Sequence, residues 1–476
     1  MSEQMLSLYG WDSTEEVDDS VPFVTLTTRP QVLARIKENR NFDLLILGGG
    51  LTGAVLAHEA ALQGIKVLLL ERGSFGADAL SWDVRIMQQL RSNPRELFRA
   101  RAALRSIATE RAPHVVSAMP KDSHAVTGIV TALARRFVPL CCVDERLLIR
   151  ETILAARQEG ASVISAVTPK YLEAESAESG CFVVHFHDPI TRQDLEARVG
   201  GVVLDPTHGA LPPSRLGSYV VPATNPVPAG VQYVYEATPR SLRSAATCAS
   251  FELSDGSFIA VKRLDVTLLE VSVLWGAKPL ASETVQGIIY DAVTESGWDL
   301  QREVSQRQVS GSWSRRYGIS QVKGVFSCSH RGPWDALRSA HTIVKALVAL
   351  SREPRTLRSL SPRLLPGGER NCDADAFRAL ARAQGVSEQT IERVVARWRG
   401  RVRYLPRIPN GLREFAPGIL RGEVELAVLS DQVTSVDDLV AGALALQQFP
   451  EWRESIPVLQ ERLNAFQVSN EPVVEN

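Results

Sequence analysis

Three glycines spaced Gly48-x-Gly50-x-x-Gly53, with Glu71 standing 23 positions beyond the first, are the sharpest chemical signal in the sequence. Each residue type has a job in holding a dinucleotide. Gly48 permits a tight turn, Gly50 lets backbone approach a pyrophosphate, and Gly53 lets a helix pack closely on a strand. Glu71 can accept hydrogen bonds from the hydroxyls of an adenosine ribose. Gly49, Leu51 and Thr52 fill the turn and the helix start, where free N–H groups and the positive end of the helix dipole favour phosphate. Arg72 follows the acid directly.

These residues must be positioned by a strand, a helix and a second strand. The apolar run FDLLIL (42–47) suits a parallel strand buried on both faces. AVLAHEAALQG then reads as a helix stopped at Gly64, and IKVLLL as a strand ending at Glu71. A GxGxxG spacing alone is weak; here every part of the βαβ unit falls in order, so residues 42–72 form an ADP-binding unit.

Other chemistry-bearing residues carry less. His185 and His187 alternate on a strand and share a face, but no third ligand of fitting spacing accompanies them, so no metal site is expected. The six cysteines are scattered without CxxC spacing, which suits a reducing compartment and excludes a zinc motif. No GxSxG, HExxH or P-loop pattern occurs. A capped helix from Asn93 to about Arg111 carries Arg95, Arg99, Arg101 and Arg105, which read as a solvated face.

A length of 476 residues implies two or three structural units. The net charge of -1 gives no sign of a nucleic-acid partner. The acidic, polar first twenty residues do not read as a signal peptide, and no apolar run reaches the roughly 18 residues of a membrane span. The expected location is cytoplasmic, extending to peripheral contact with the inner face of the membrane.

Residues 1–40 read as an extension ending in the helix candidate PQVLARIKENR. Residues 41–364 read as the nucleotide-binding domain. Strand-like runs such as CFVVHFH, VQYVYEA and LLEVSVLW form an inserted mixed or antiparallel sheet over about 180–300, typical of a substrate domain. Residues 365–476 read as a helical domain, entered through LLPGGER (364–370).

The chain resembles the FAD-dependent glycerol-3-phosphate dehydrogenases, within the amino-acid-oxidase-like flavoproteins. FDLLILGGGLTGAVLAHEAALQGIKVLLLERGSF (42–75) is similar to the family's opening segment. ERAPHVV (110–116), DERLLIRETILAARQEGASV (144–163), SRLGSYVVP (214–222), LPGGE (365–369) and EVELAVLSDQVTSVDDLV (423–440) resemble later family elements in order. Departures fall on the flavin side. Gln88 and Gln89 replace the histidine-glycine core of LIHGGLRY; LDPTHGA (204–210) replaces an NAAGPW-type element; LLEVSVLWG (268–276) replaces LIGTTD. RGPWDALR (331–338) stands for GGKWTTYR, with Pro333 in place of the lysine.

The resemblance implies an α/β fold: a Rossmann-like FAD-binding domain, an inserted β-sheet substrate domain and a C-terminal helical domain. It implies FAD as cofactor, with Ser81 and Gly332 added to the cofactor site. The implied reaction is oxidation of glycerol 3-phosphate or a related small hydroxylated or amino substrate by hydride transfer to flavin. A phosphorylated polyol would need cations, for which Arg338 and Arg315 match family positions and Arg85 and Arg316 are further candidates. A base is also needed, and His330 is the best placed. Family members often pass electrons to quinone; the sequence does not name the acceptor here. The alternative is a catalytically silent relative keeping the fold for binding or regulation. An NAD-dependent dehydrogenase fits less well, because the later motifs are flavoprotein-like.

Overall fold

A computed structural model describes residues 29–38, 40–76, 79, 116–118, 141–175, 181–204, 214–216, 219–221, 228–240, 248–255, 257–264, 267–275, 279–310, 318–322, 324–329, 333–350, 365–368, 373–444, 446 and 452–469. The first described element is helix α1 (Arg29–Glu38), which buries Val32, Leu33 and Ile36 at helical spacing. Arg29 also donates to the Asp188 carboxylate at 2.8 Å and to the Ser165 carbonyl at 2.8 Å. This end of the expected extension is therefore docked. The expected basic helix after Asn93 lies outside the described residues.

Strand β1 (Asn41–Phe42) is followed by β2 (Leu44–Leu47), helix α2 (Leu51–Leu62) and β3 (Val67–Leu70). A hairpin-like pair, β4 (Val116–Ala118) and β5 (Cys141–Val143), precedes helix α3 (Glu145–Gln158) and β6 (Ser162–Ile164). Asp144 caps α3 by accepting from the Leu147 N–H at 2.9 Å. Next come β7 (Thr168–Ala174), β8 (Phe182–Asp188), β9 (Gln193–Val199) and β10 (Val202–Leu204), then a short antiparallel pair, β11 (Ser214–Leu216) and β12 (Tyr219–Val221). Strands β13 (Pro228–Pro239), β14 (Cys248–Glu252), β15 (Phe258–Arg263) and β16 (Leu268–Leu274) lead to helix α4 (Ser282–Glu295) and β17 (Trp298–Ser310). Strands β18 (Gly318–Val322) and β19 (Val325–Ser329) precede the long helix α5 (Pro333–Leu350).

The central sheet has the order β18-β19-β10-β2-β3-β6, parallel except for β18. Every residue of β2 and β3 is buried, as a parallel sheet covered on both faces requires. Leu44, Ile46, Val67 and Leu69 face a core shared with α2, α3 and α5. Leu45, Leu47, Leu68 and Leu70 face a second core with α1 and the meander β7–β9. That meander forms a separate sheet of order β1-β9-β8-β7. The expected antiparallel layer is thus divided: β8 and β9 pack against the nucleotide-binding sheet, β10 belongs to it, and a third sheet spans 228–310 in the order β14-β15-β16-β13-β17.

The C-terminal part holds α6 (Asp373–Ala383), α7 (Glu388–Trp398), a 3-10 segment (Arg399–Arg407), the pair β20 (Glu414–Ala416) and β21 (Ile419–Leu420), α8 (Arg421–Asp431) and α9 (Trp452–Ser469). Between α8 and α9 lie one helical turn (Val436–Asp438) and a π-helical turn (Leu439–Ala443). Its own apolar core includes Phe377, Ile391, Trp398, Leu426 and Leu463. The segment Leu365–Gly368, read as a linker, is buried. A Cβ on Gly367 would sit 2.5 Å from the Glu151 carboxyl carbon, so this glycine lets the chain pass directly over α3.

Candidate functional site: a dinucleotide cradle at the C-terminal edge of the sheet

Strand β2 ends at Leu47, and Gly48 turns the chain with φ 108°, a conformation that favours glycine. Gly50 is the N-cap of α2 and, among the described residues, no side chain caps that end. The first turn of α2 therefore presents main-chain N–H groups and a positive dipole end beside the Gly48–Gly50 turn. Gly53 packs against that turn: a Cβ there would lie 2.0 Å from the Gly48 carbonyl oxygen. Leu51, Thr52 and Gly53 are all buried within α2.

Glu71, 4% exposed, closes the cradle from the end of β3. Its two carboxylate oxygens accept from different glycines, Oε2 from the Gly49 N–H and Oε1 from the Gly73 N–H, each at 2.6 Å. A carboxylate oxygen has lone pairs to spare after one such bond, so both can still accept from a vicinal diol. Gly49 has its own steric reason: a Cβ there would lie 2.6 Å from the ring of Phe75. This packing of Phe75 on the phosphate turn was not read from the sequence, although the ERGSF string contains it.

Of the other expected cofactor residues, Arg72 is exposed beside Glu71. Ser81 and Gly332 lie outside the described residues, as do the catalytic candidates His330 and Arg315 and the cations Arg85 and Arg316. Arg338 lies on the exposed side of α5, the helix that packs beside α2 against the central sheet. His185 stacks on Tyr171 with ring centroids 4.2 Å apart, and His187 bonds Asp194 at 2.7 Å. Among the described residues no group of three or more His, Cys, Asp or Glu side chains could hold a metal ion.

A second polar surface went unnoticed in the sequence. One face of the five-stranded sheet packs its Val231, Tyr233, Val271 and Val273 against Val285 and Ile289 of α4. The other face puts Phe258, Ala260 and Leu274 into the core of the nucleotide-binding unit. Gln232, Glu270 and Ser272 lie on that second face by strand alternation and are buried at 3%, 1% and 2% exposure. Gln232 Nε2 donates to Ser272 Oγ at 3.1 Å, and Lys262 stands directly opposite Glu270 in the ladder. Alternation along β16 puts Glu270 and Ser272 on one face, and the packing of the sheet shows which way they face.

No helix among the described residues is long and apolar enough to cross a membrane. Residues 43–216 match the family described as FAD dependent oxidoreductase. A glycerol-3-phosphate dehydrogenase from Synechocystis sp. is 32% identical over 83 residues, 17% of this chain and 15% of that protein. The mitochondrial glycerol-3-phosphate dehydrogenase of Saccharomyces cerevisiae is 41% identical over 54 residues, 11% of this chain and 8% of that protein. The aligned stretches thus span well under a quarter of these relatives. The solved glycerol-3-phosphate dehydrogenase from Bacillus halodurans, complexed with FAD, superposes with a TM-score of 0.60 at 16% identity, covering 92% of this chain and 93% of that one. The expected fold class and the expected cofactor of the family, FAD, agree with these matches. Residues 43–216 thus match the FAD dependent oxidoreductase family, and nearly the whole chain shares its fold with a glycerol-3-phosphate dehydrogenase.

Proposed function

We propose that this protein binds FAD and oxidises a small hydroxylated or amino compound, with phosphorylated polyols such as glycerol 3-phosphate among its candidate substrates. The observation that carries the reading is the cradle itself: a glycine turn too close-packed for side chains, facing a buried carboxylate whose two oxygens are held by Gly49 and Gly73. A glycine turn, a helix N-terminus and an acid in this order are what the ADP half of FAD calls for. Flavin, when bound, supplies the hydride acceptor that no side chain can provide.

The chain's own residues would do the rest. The α2 N-terminus and the glycine turn bind pyrophosphate, and Glu71 orients the adenosine ribose. In this reading Arg338 and Arg315 hold an anionic group and His330 takes the hydroxyl proton. The short curated alignments and the substituted flavin-side elements support a substrate that differs from glycerol 3-phosphate. The same substitutions, Gln88 and Gln89 above all, favour a second reading in which the fold binds a nucleotide but catalyses no oxidation.

Purified protein should be yellow or take up one FAD on reconstitution, and Glu71→Gln should weaken that uptake. Colourless protein that takes up no FAD would reject both the cofactor and the oxidoreductase reading. Flavin that binds but is not bleached by anaerobic glycerol 3-phosphate or by a panel of small alcohols and amines would favour the silent relative.

A further inference from the structure

The C-terminal helical unit reaches back to the dinucleotide cradle by contacts that no local motif requires. The turn after Glu71 runs through Gly73, whose N–H holds the Glu71 carboxylate and whose carbonyl accepts from the Ala166 N–H at 3.1 Å. Ser74 follows at once, and its hydroxyl donates to Asp438 Oδ1, 364 positions away in sequence. The other oxygen of Asp438 is committed to its own turn, accepting from Thr434 Oγ1 at 3.0 Å and the Ser435 N–H at 3.2 Å. That leaves the Asp438 carboxylate little freedom to rotate, so Ser74 is held against a fixed acceptor.

A second contact fixes the neighbouring wall. Gln432 is the αL cap of α8, with φ 55°. Its side chain spans the end of β6, accepting from the Ser165 N–H at 3.2 Å and donating to the Val163 carbonyl at 2.7 Å. The Ser165 hydroxyl returns a bond to the Gln432 carbonyl at 2.9 Å. Both chain segments that frame Glu71, the turn after β3 and the end of β6, are thus pinned to the seven-residue stretch 432–438.

We propose that Asp438 and Gln432 are positioning residues for adenosine-ribose recognition, so that the C-terminal unit sets the geometry with which Glu71 meets the ribose hydroxyls. The inference rests on the reading that the cradle binds the ADP half of FAD. Loosening the Ser74 turn lets Gly73 and the Glu71 carboxylate shift together. Affinity then falls for ligands that use the diol and holds for those that lack it.

The test titrates the full chain, stripped of flavin, with ADP and with 2′,3′-dideoxy-ADP, in wild type, Ser74→Ala and Ser74→Thr. Wild type should prefer ADP by about tenfold or more, the worth of one or two hydrogen bonds to a carboxylate. Ser74→Ala should lose most of that preference at an unchanged melting temperature, and Ser74→Thr, which keeps the hydroxyl, should restore it. Ser165→Ala should lose part of it by the other contact. A wild-type preference retained in both alanine variants would overturn the positioning role. Wild-type protein that binds no ADP, or binds both ligands equally, would instead overturn the reading of Glu71 on which the proposal rests.

Discussion

Replacing Arg401 by methionine should cost this protein about 3–5 kcal/mol of stability, the usual penalty for removing one partner of a buried ion pair. The guanidinium is fully buried where the C-terminal unit meets α3. Arg401 Nη1 donates to Asp431 Oδ1 at 2.9 Å and to Ser430 Oγ at 3.0 Å, and Nε lies 2.7 Å from Glu151 Oε1 as an ionic contact. Arg150 donates Nε to Asp431 Oδ2 at 2.8 Å and Nη1 to the Ala443 carbonyl at 3.0 Å. Both guanidiniums lie over the Trp398 ring, 4.9 and 5.1 Å from its centroid. Methionine keeps the apolar stem and removes the charge, leaving Glu151 and Asp431 to share the buried space with Arg150 and Arg157. A domain's whole stability is about 5–15 kcal/mol, so the loss is a large fraction of it. By contrast the exposed pair Arg40–Glu196 contributes about 0–1 kcal/mol.

The loss should depend on pH. Burial pushes the Glu151 carboxyl above the usual carboxylate range even against Arg401 and Arg150, and removing Arg401 pushes it further. A raised folded-state pKa means that protonation favours the folded form, so this stability is present at low pH and is lost as pH rises through the folded value. The gap between wild type and Arg401→Met should therefore widen as pH rises above the ordinary glutamate pKa of about 4.3 and narrow again in Glu151→Gln/Arg401→Met. Urea unfolding at several pH values followed by tryptophan fluorescence measures it. A gap under about 1 kcal/mol, or one independent of pH, would refute the claim that this cluster joins the two units.

Two further outcomes follow from the geometry. Gly53→Ala places a methyl 2.0 Å from the Gly48 carbonyl oxygen, so the phosphate turn must move; FAD affinity in a fluorescence titration should fall at least about a hundredfold, with the far-UV spectrum kept. Burial alone would raise the Asp188 carboxyl, but the hydrogen bonds and charge of Arg29, with Thr191 Oγ1 and the Ile190 N–H, more than offset it and hold it below the usual range. That stability is present above the ordinary aspartate pKa of about 3.9 and is lost as pH falls through the folded value. Asp188→Asn should thus lower the melting temperature at pH 7 and flatten its fall in acid; a parallel acid limb would remove Arg29–Asp188 as the clasp of α1.

The ADP-binding unit was legible in the sequence because its parts are local. Strand, glycine turn, helix, strand and acid fall within 42–72, and each residue type answers a constraint met inside that stretch. The same holds for the strand-like runs CFVVHFH and LLEVSVLW, which form β8 and β16. The division of the expected antiparallel layer among several sheets was not legible, because a strand's pattern gives its faces but not its partner. LLPGGER read as a linker because glycine and proline signal turns. In the fold, Gly367 is there to let backbone pass over Glu151.

Nothing in a helix period distinguishes a solvated arginine from one paired across a domain contact, as Arg150, Arg157 and Arg401 are. The sequence by itself determined the nucleotide unit and the order of elements, since those depend on residues a few turns apart. Only the tertiary structure decided what holds the unit in place. Ser74 finds Asp438 across 364 residues and Ser165 finds Gln432 across 267, and chain spacing does not encode contacts at that range.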